Sequence, residues 1–458
     1  MNDPQDPKQP AAGKPLYERP TLVRHQMGMM NKFARAQAIR PLTEIAGVSV
    51  DELVAAYGSP LFVFSEIEIV RRYRELRDFL SLRYPRVRLA WSYKTNYLDA
   101  VCKVFQREGA VAEVVSTMEY DKALRLGFRA DEIHFNGPDK PAEVLERALS
   151  AGTIIHIDHF DELAEVEAIA RRLKLRPRVA LRLNLAVSSA PTWSRFGFNL
   201  ENGQARDAAR RLIAGGALEL AGLHCHIGTF ILDAGAYREM AEKVAGFANE
   251  LRRDAGVILD FLDLGGGFAS PNTLKAQYLP GEQASPSFSR YVEAIADGLS
   301  SLAYPPQDMP TLILETGRAL IDEAGSLIAT VRANKRLPDG RRALIVDAGV
   351  NVLFTSFWYN HDVVPAQPFR GMPEPTVIYG PLCMNIDVMR ESLVFPPMHV
   401  GDRLVFRNVG AYNVTQWMQF ITYRPAVAMV SRRGEHGQIR RREDLDALVR
   451  YEEIPGWL

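Results

Sequence analysis

From about residue 60 onwards, short apolar runs rich in β-branched residues alternate with amphipathic stretches that end in glycine. There are eight such runs, at residues 89–93, 112–116, 133–137, 154–158, 179–184, 222–227, 261–267 and 312–317. Between them apolar residues recur at helical spacing, as at Leu98, Val101 and Phe105. Eight strand–helix units in about 250 residues favour an α/β fold, a (β/α)8 barrel of the TIM type. A doubly wound open sheet is the alternative that this pattern leaves open.

After residue 319 the pattern changes to short strands separated by turns. Strands are predicted at 326–333, 342–347, 376–379, 402–407 and 426–431, and helical periodicity is scarce. This indicates a second, C-terminal β-rich domain, either a sandwich or a Greek-key barrel. Residues 47–60 resemble a helix and a turn that dock on that domain, and the charged tail from Ser431 resembles a solvated helix face.

These patterns predict three regions. Residues 1–24 are rich in Pro, Gln and Lys and are expected to form a disordered leader. Residues 60–318 are expected to form the barrel. Residues 25–59 and 319–458 together are expected to form the β-rich domain.

Composition narrows the classes of function. The chain has 458 residues, 47% of them hydrophobic, and 55 basic residues balance 55 acidic ones, so no basic excess suggests nucleic-acid binding. No apolar run approaches the roughly 20 residues of a membrane span, and residues 1–5 do not resemble a signal peptide. The three cysteines form no CxxC pair. We therefore expect a cytoplasmic protein that binds neither nucleic acid nor membrane.

Residues that could bind a ligand or take part in catalysis gather at the carboxyl ends of the eight runs, which is the face where barrel enzymes build their active sites. They are Lys94, Glu113, Ser116, Asn136, His226, Gly265, Gly266, Gly267, Glu315 and Arg318.

Lys94 follows the apolar run 89–93 and is predicted to point into the barrel mouth. Desolvation there would lower its pKa and leave a neutral amine for Schiff-base chemistry. The alternative is a lysine at the end of a strand that simply reaches solvent.

Two further motifs suit a phosphorylated ring. The amides of Gly265, Gly266 and Gly267 can approach a phosphate closely, although the same sequence is equally suited to a tight turn. Glu315 and Arg318 could serve a pyridine nitrogen and an anion, or form a structural ion pair.

A metal site is not predicted. His224 and His226 lie on one face of a strand, but the sequence shows no further Cys or His cluster that completes a tetrahedral set. A histidine ring stacked on a flat cofactor is the better functional interpretation.

Six motifs in this order resemble one family, the pyridoxal-phosphate (PLP) decarboxylases that include the diaminopimelate and ornithine decarboxylases. The resemblance runs from about residue 56 to residue 425. The motifs are Ser-Tyr-Lys-Thr-Asn around Lys94, His-Ile-Gly-Thr from His226, Gly-Gly-Gly from Gly265, Glu-Thr-Gly-Arg from Glu315, Gly-Pro-Leu-Cys from Gly380 and Gly-Ala-Tyr from Gly410.

The resemblance implies a role for each matching residue. Lys94 would carry the cofactor, His226 would stack on its ring, Glu315 would pair with the ring nitrogen, and Glu113 would be the acidic residue near the cofactor. Thr229, Gly265, Gly266, Gly267, Arg318 and Tyr412 would bind its phosphate. The resemblance also implies a homodimer in which Cys383 enters the partner's active site, where Cys383 or a water that it positions returns a proton after CO2 has left.

The sequence departs from the family where the substrate's distal group is recognised. Met384 stands where the family usually has an acidic residue, and Val352 stands where diaminopimelate enzymes have another. Arg318, Asp347, Met384 and Asp387 are the predicted substrate residues. We therefore predict an amino-acid decarboxylase whose substrate differs from meso-diaminopimelate, with a less cationic or bulkier distal group. The alternative is the same substrate bound in a rearranged pocket.

Two other functions stay open at this point. An amino-acid racemase could use the same barrel and cofactor. A non-catalytic, PLP-binding regulator is the other alternative, although the retained Lys94, His226, Glu315 and Cys383 argue against lost activity.

Overall fold

The structure is a computed structural model that describes residues 39–458. The predicted leader, residues 1–24, lies outside the described residues. The described chain begins with strands β1 (Glu44–Ile45) and β2 (Val48–Ser49), helix α1 (Val50–Tyr57) and strand β3 (Leu61–Ser65). The hydroxyl of Ser49 accepts a hydrogen bond from the Asp51 amide and caps α1, which confirms the helix predicted before the barrel.

The next segment forms the barrel. Its strands are β4 (Val87–Ser92), β5 (Val111–Val114), β6 (Ile133–Phe135), β7 (Ile154–Ile157), β8 (Arg178–Asn184), β9 (Phe198–Asn199), β10 (Glu219–Cys225), β11 (Phe261–Asp263) and β12 (Thr311–Leu314). Its helices are α2 (Glu66–Arg83), α3 (Asp99–Arg107), α4 (Thr117–Arg125), α5 (Ala142–Ala151), α6 (Phe160–Leu173), α7 (Gln204–Gly215), α8 (Gly235–Ala255), α9 (Gly281–Ala284) and α10 (Phe288–Leu299).

Eight of these strands close on themselves. The parallel order runs β10-β11-β12-β4-β5-β6-β7-β8, and β8 also pairs with β10, which completes the ring. All eight apolar runs are barrel strands, so the predicted (β/α)8 barrel is confirmed and the open-sheet alternative is wrong. The short β9 adds a parallel pair at the carboxyl end of β8.

The floor of the barrel is apolar and tightly fitted. Ala90, Val111, Ile154, Ala180, Ala221, Phe261 and Ile313 form a buried cluster inside it. A Cβ on Gly222 would lie 2.4 Å from the Phe261 ring, so glycine is the residue that lets this large ring fill the interior. The apolar floor leaves the polar residues to the carboxyl ends of the strands.

The rest of the chain builds a mostly antiparallel second sheet. Its elements are α11 (Arg318–Ile321), β13 (Gly325–Arg336), β14 (Arg342–Val346), β15 (Val363–Pro365), β16 (Glu374–Tyr379), β17 (Val388–Phe395), β18 (Arg403–Arg407), β19 (Ala426–Val430), β20 (His436–Arg440) and α12 (Leu445–Val449). The order is β17-β16-β14-β13-β3-β19-β20, and β18 pairs with β13 and β15. The predicted β-rich domain is therefore present.

Two features differ from the sequence patterns. Strand β3 lies between β13 and β19 in the second sheet, although the predicted barrel began at residue 60. The tail from Ser431 is not one helix face, because β20 pairs with β19 before the short α12 begins. The first difference arises from long-range pairing, which leaves no periodic signal in a five-residue strand. The second arises from a local hairpin, in which β19 and β20 pair across a short turn.

Candidate active site

A cavity of about 580 Å³ opens at the carboxyl ends of the barrel strands. Barrel residues form its base, and Trp358, Tyr359, Tyr412 and Gln416 from the second part of the chain form part of its wall. Of the predicted site residues, the cavity is lined by Lys94, Glu113, His226, Thr229, Gly266, Gly267, Glu315, Arg318 and Tyr412. The fold thus brings together residues that are more than 300 positions apart in the sequence.

Lys94 lies in a short 3-10 turn directly after β4 and extends into the cavity, where 39% of its side chain is exposed. Its Nζ lies 2.5 Å from Oε2 of Glu113, which is buried and also accepts a hydrogen bond from Ser92. Burial lowers the pKa of Lys94, but the charges of Glu113 and Glu315 outweigh it and hold the pKa above its usual value. The lowered pKa that we predicted is therefore wrong, because the Glu113 and Glu315 carboxylates favour the ammonium form of Lys94.

Glu315 forms the buried base of the cavity, one residue beyond β12. It accepts hydrogen bonds from the amide of the Asn136 side chain and pairs with Nε2 of His224 at 3.3 Å. Burial would raise its pKa, but His224 and Lys94 hold the pKa of this carboxyl well below its usual range. The site therefore presents a fixed negative charge from its base.

His226 lies at the side of the cavity with a neutral ring. Its Nδ1 accepts the Gly266 amide at 3.0 Å, and Trp193 packs edge-on at a centroid distance of 5.4 Å. Burial lowers the pKa of His226 to about 3. A neutral ring held in one orientation suits stacking on a flat aromatic ligand.

The three-glycine loop depends on glycine for backbone conformation and for space. Gly265 and Gly267 have φ values of +65° and +96°. A Cβ on Gly266 would lie 2.5 Å from the Glu315 carbonyl oxygen, and one on Gly267 would lie 2.3 Å from that of Gly228. The Gly265 amide donates to Asp263, and Gly265 does not line the cavity, whereas Gly266 and Gly267 do.

Arg318 marks the other end of the cavity. Its guanidinium donates to the hydroxyl of Tyr359 and, at 3.3 Å, to Thr229, and it lies 4.6 Å from the centre of the Tyr412 ring. Tyr412 is fixed by its amide, which donates to the Thr95 carbonyl at 2.9 Å. A guanidinium with hydroxyls and glycine amides around it has the chemistry of a phosphate site.

Besides Gly265, four predicted residues lie outside this cavity. Cys383 is exposed on the loop after β16, and Met384 packs partly against the core. Asp347 bonds Arg332 at 3.0 Å, and Asp387 is buried and accepts the amides of Val350 and Leu382. Within the described part of this single chain, the cited bonds of Asp347 and Asp387 reach no residue that lines the cavity.

Several cavity residues were missed by sequence reasoning. Asn136 appeared among the strand-end residues but received no role. Arg182, Trp193 and Tyr359 carried no local signal, since they lie inside a strand or in irregular loops. For Arg182, the position inside a strand is the signal that could have suggested a side chain facing into the barrel.

His224 has close neighbours that the sequence did not predict. One ring nitrogen or carboxylate oxygen from each of His156, Asp263 and Glu315 lies within 4.8 Å of the others and of a ring nitrogen of His224. His226, two residues away, turns toward Trp193 instead. The sequence showed no group around His224 because these residues come from β7, β11 and the end of β12.

Comparison with known proteins identifies the family. The family model described as "Pyridoxal-dependent decarboxylase, pyridoxal binding domain" matches residues 66–322, more than half of the chain. The chain belongs to the pyridoxal-dependent decarboxylases. Diaminopimelate decarboxylase of Bacillus subtilis (strain 168) is 29% identical over 89% of this chain and 94% of its own length. That of Actinosynnema pretiosum subsp. auranticum is 31% identical over 81% of this chain and 83% of its own length.

Solved structures agree with this family assignment. The diaminopimelate decarboxylase of M. jannaschii in a co-complex with L-lysine has a TM-score of 0.82 and 28% identity, covering 90% of this chain and 96% of its own. This decarboxylase is therefore a carboxy-lyase that uses PLP for amino-acid decarboxylation, and the comparisons give the racemase alternative no support. Among residues 39–458, no helix is long and apolar enough to cross a membrane.

The residues present fit the cofactor. The glycine loop forms a recess that any Cβ would fill, Lys94 offers an amine, and Glu315 provides a buried carboxylate. Arg318 and Thr229 supply donors for a phosphate at the opposite end. The aldehyde, the ring nitrogen and the phosphate of pyridoxal phosphate thus each have complementary side chains along one cavity.

Proposed function

We propose that this decarboxylase removes the α-carboxylate of an amino acid with Lys94, Glu315, His226 and Arg318 as its main cofactor contacts. The cofactor, when bound, supplies an electron sink for the charge left behind by CO2. The observation that carries the assignment of residues is the single cavity that joins Lys94 and Glu315 at its base with Arg318 at its far end.

Each side chain has a distinct task in this proposal. Glu113 accepts a hydrogen bond from Lys94 and is the base that would take up the proton that this amine loses when it reacts. Glu315 stays a carboxylate and faces the ring nitrogen. His226 stays neutral and limits the ring's movement. Arg318, Thr229, Tyr412 and the loop of Gly265, Gly266 and Gly267 bind the phosphate group.

The proton donor is proposed to come from a second copy of the chain. Cys383 is exposed and lies on a loop of the second sheet, so it is accessible to a partner's cavity. A thiol at that point can return a proton to the α-carbon. A homodimer with shared active sites follows, and the three free cysteines suit the cytoplasm that we predicted.

The proposed substrate has a distal group that is less cationic or bulkier than that of diaminopimelate. Among the described residues that line the cavity, the carboxylates are Glu113 and Glu315, and both are already engaged. Much of the remaining wall is apolar, from Trp193, Phe196 and Trp358. Met384 lies outside this cavity and would enter with Cys383 from a second copy of the chain, with a thioether at a position where the resembled family usually has an acidic residue.

An absorbance spectrum and CO2 release test the proposal. The purified protein should show a cofactor band near the visible edge, and Lys94→Ala should lose that band and nearly all release of labelled CO2. A panel of amino acids with cationic, neutral and bulky distal groups identifies the substrate. A protein that shows no band with added cofactor would contradict the proposal, and turnover of meso-diaminopimelate near that of a dedicated enzyme would contradict the substrate class.

A further inference from the structure

Ionisable side chains fill the barrel interior directly beneath the cavity. Barrels of this type are usually packed there with branched apolar residues. Here Asp263 is fully buried, Glu315 is 6% exposed, and His156 and His224 are at most 1% exposed. The group rests on the apolar floor, where Phe261 packs against the ring of His156 at a centroid distance of 5.9 Å.

The two carboxyl groups come from neighbouring strands. Asp263 pairs in register with His224 on β10 and with Ile313 on β12, two residues before Glu315. The Glu315 amide donates to the Gly265 carbonyl at 2.8 Å, so the two backbones stay joined up to the site. One oxygen of the Asp263 carboxyl group therefore lies within 4.8 Å of one oxygen of Glu315 in the buried interior, where two adjacent negative charges are strongly disfavoured.

The hydrogen bonds locate the place for a proton. Oδ1 of Asp263 accepts the Gly265 amide at 2.9 Å. Oδ2 is buried, and no donor reaches it from the described residues. Both oxygens of Glu315 have a partner, Asn136 for one and His224 for the other. A buried carboxylate oxygen without a donor is costly, and a proton on Oδ2 removes that cost.

We propose that Asp263 is a positioning residue that keeps one proton on Oδ2 and donates it to Glu315, so that Glu315 faces the cofactor's ring nitrogen as a carboxylate. The inference rests on the role proposed above for Glu315. No covalent bond is made or broken, because the proton stays on Asp263 and is shared with Glu315 only as a hydrogen bond. The two carboxyl groups together then carry one negative charge, which balances the positive charge of a protonated ring nitrogen.

The surrounding charges assign the proton to Asp263. Burial, followed by the charge of Glu315, raises the pKa of Asp263 well above its usual value. His224 and Lys94 act on Glu315 in the opposite direction and outweigh its burial. Burial keeps His156 neutral, so it supplies no positive charge to Asp263.

Asp263→Asn and Asp263→Leu, studied as holoenzymes with 15N-labelled cofactor, test the proposal. Asparagine can keep both bonds, with Oδ1 accepting from Gly265 and Nδ2 donating to Glu315. Its ring-nitrogen resonance should stay that of the protonated form, with cofactor affinity within about twofold of the parent. Leucine removes the donor to a charged group, so affinity should fall roughly tenfold and the resonance should move toward the unprotonated form.

Glu315→Gln separates this proposal from the function on which it rests. If that variant keeps a protonated ring nitrogen, the role of Glu315 is wrong; if it loses the proton while Asp263→Asn also loses it, the role of Asp263 is wrong. A resonance that stays unchanged in Asp263→Leu would also overturn the inference.

Infrared spectra of the unmodified protein at pH 8 give a second test that needs no variant to fold. A protonated-acid carbonyl band should be present and should shift when aspartate is 13C-labelled. The absence of such a shift would overturn the proposal. One equivalent of a transition metal in the purified protein would overturn it as well, since His156, His224 and both carboxyl groups would then be ligands.

Discussion

At the scale of single residues, charge pairing outweighs desolvation at Lys94. The strand-end position led us to expect a neutral amine, and position is all that the sequence reveals about a lysine. Glu113 lies on the neighbouring strand, where Ser92 and Glu113 are in register. A partner 19 residues away that reverses the direction of the pKa shift is visible only in the folded protein.

Glu113→Gln should lower the pKa of Lys94, because the variant loses the carboxylate that lies 2.5 Å from Nζ. A larger fraction of the amine is then neutral at a given pH. The midpoint of the pH dependence of cofactor capture by the apo-protein should therefore move to lower pH, as followed by stopped-flow absorbance. Asp121→Asn, which removes an exposed carboxylate, serves as the control. An unchanged midpoint in Glu113→Gln would contradict the pairing.

Buried histidines make a separate prediction about acid stability. Burial lowers the pKa of His361 to about 3, so the folded protein holds this ring neutral where the unfolded chain, with an ordinary value, takes up a proton. Above about pH 6.5 each such histidine therefore costs the fold nothing. Below that pH it lowers the free energy of unfolding by about 1.4 kcal/mol per pH unit.

His361→Gln should make the loss of stability between pH 6.5 and pH 4 less steep by that amount. Glutamine can retain the bond that Nε2 makes to the Thr355 hydroxyl at 2.9 Å. Thermal unfolding midpoints measured across this pH range provide the check. An identical pH slope in the parent and the variant would mean that His361 is protonated in the fold.

At the scale of elements, the loop after β11 is shaped by its backbone rather than by side chains. Gly267 has a positive φ, and a Cβ added there would collide with the Gly228 carbonyl. Gly256, at the end of α8, also has a positive φ, of +67°, but a Cβ added there would meet open space. The two positions separate conformational strain from steric conflict.

Gly267→Ala should lose both stability and cofactor affinity, whereas Gly256→Ala should lose only about 1–2 kcal/mol of stability. In Gly267→Ala the new Cβ must displace the Gly228 carbonyl and with it the loop that carries Thr229. Thermal midpoints and fluorescence titration with pyridoxal phosphate measure the two effects. Equal cofactor affinity in both variants would show that the loop adapts to a side chain.

At the scale of the whole molecule, the proposed dimer completes the active site. Lys94 lies inside one cavity, whereas Cys383 is on the surface of the same chain. A mixture of Lys94→Ala and Cys383→Ala subunits should therefore regain activity, because one site of each mixed dimer receives neither substitution.

Random exchange of subunits should restore about a quarter of the parent activity, since half of the dimers are mixed and each has one intact site. Assays of CO2 release before and after mixing give the measurement, and light scattering gives the mass. If mixing restores nothing while mixed dimers do form, Cys383 acts on its own chain or has no role in the reaction.

The sequence alone predicted the barrel, its eight strands and nine of the residues that line the cavity. Alternating apolar runs and helical periodicity are local properties, and the motifs around Lys94, Gly265 and Glu315 each span a few consecutive residues. Tertiary structure alone decided which groups meet: β3 pairing in the second sheet, Glu113 opposite Lys94, and Asp263 beside Glu315. Closing the barrel brings strands distant in sequence into register, and both burial and charge depend on that register.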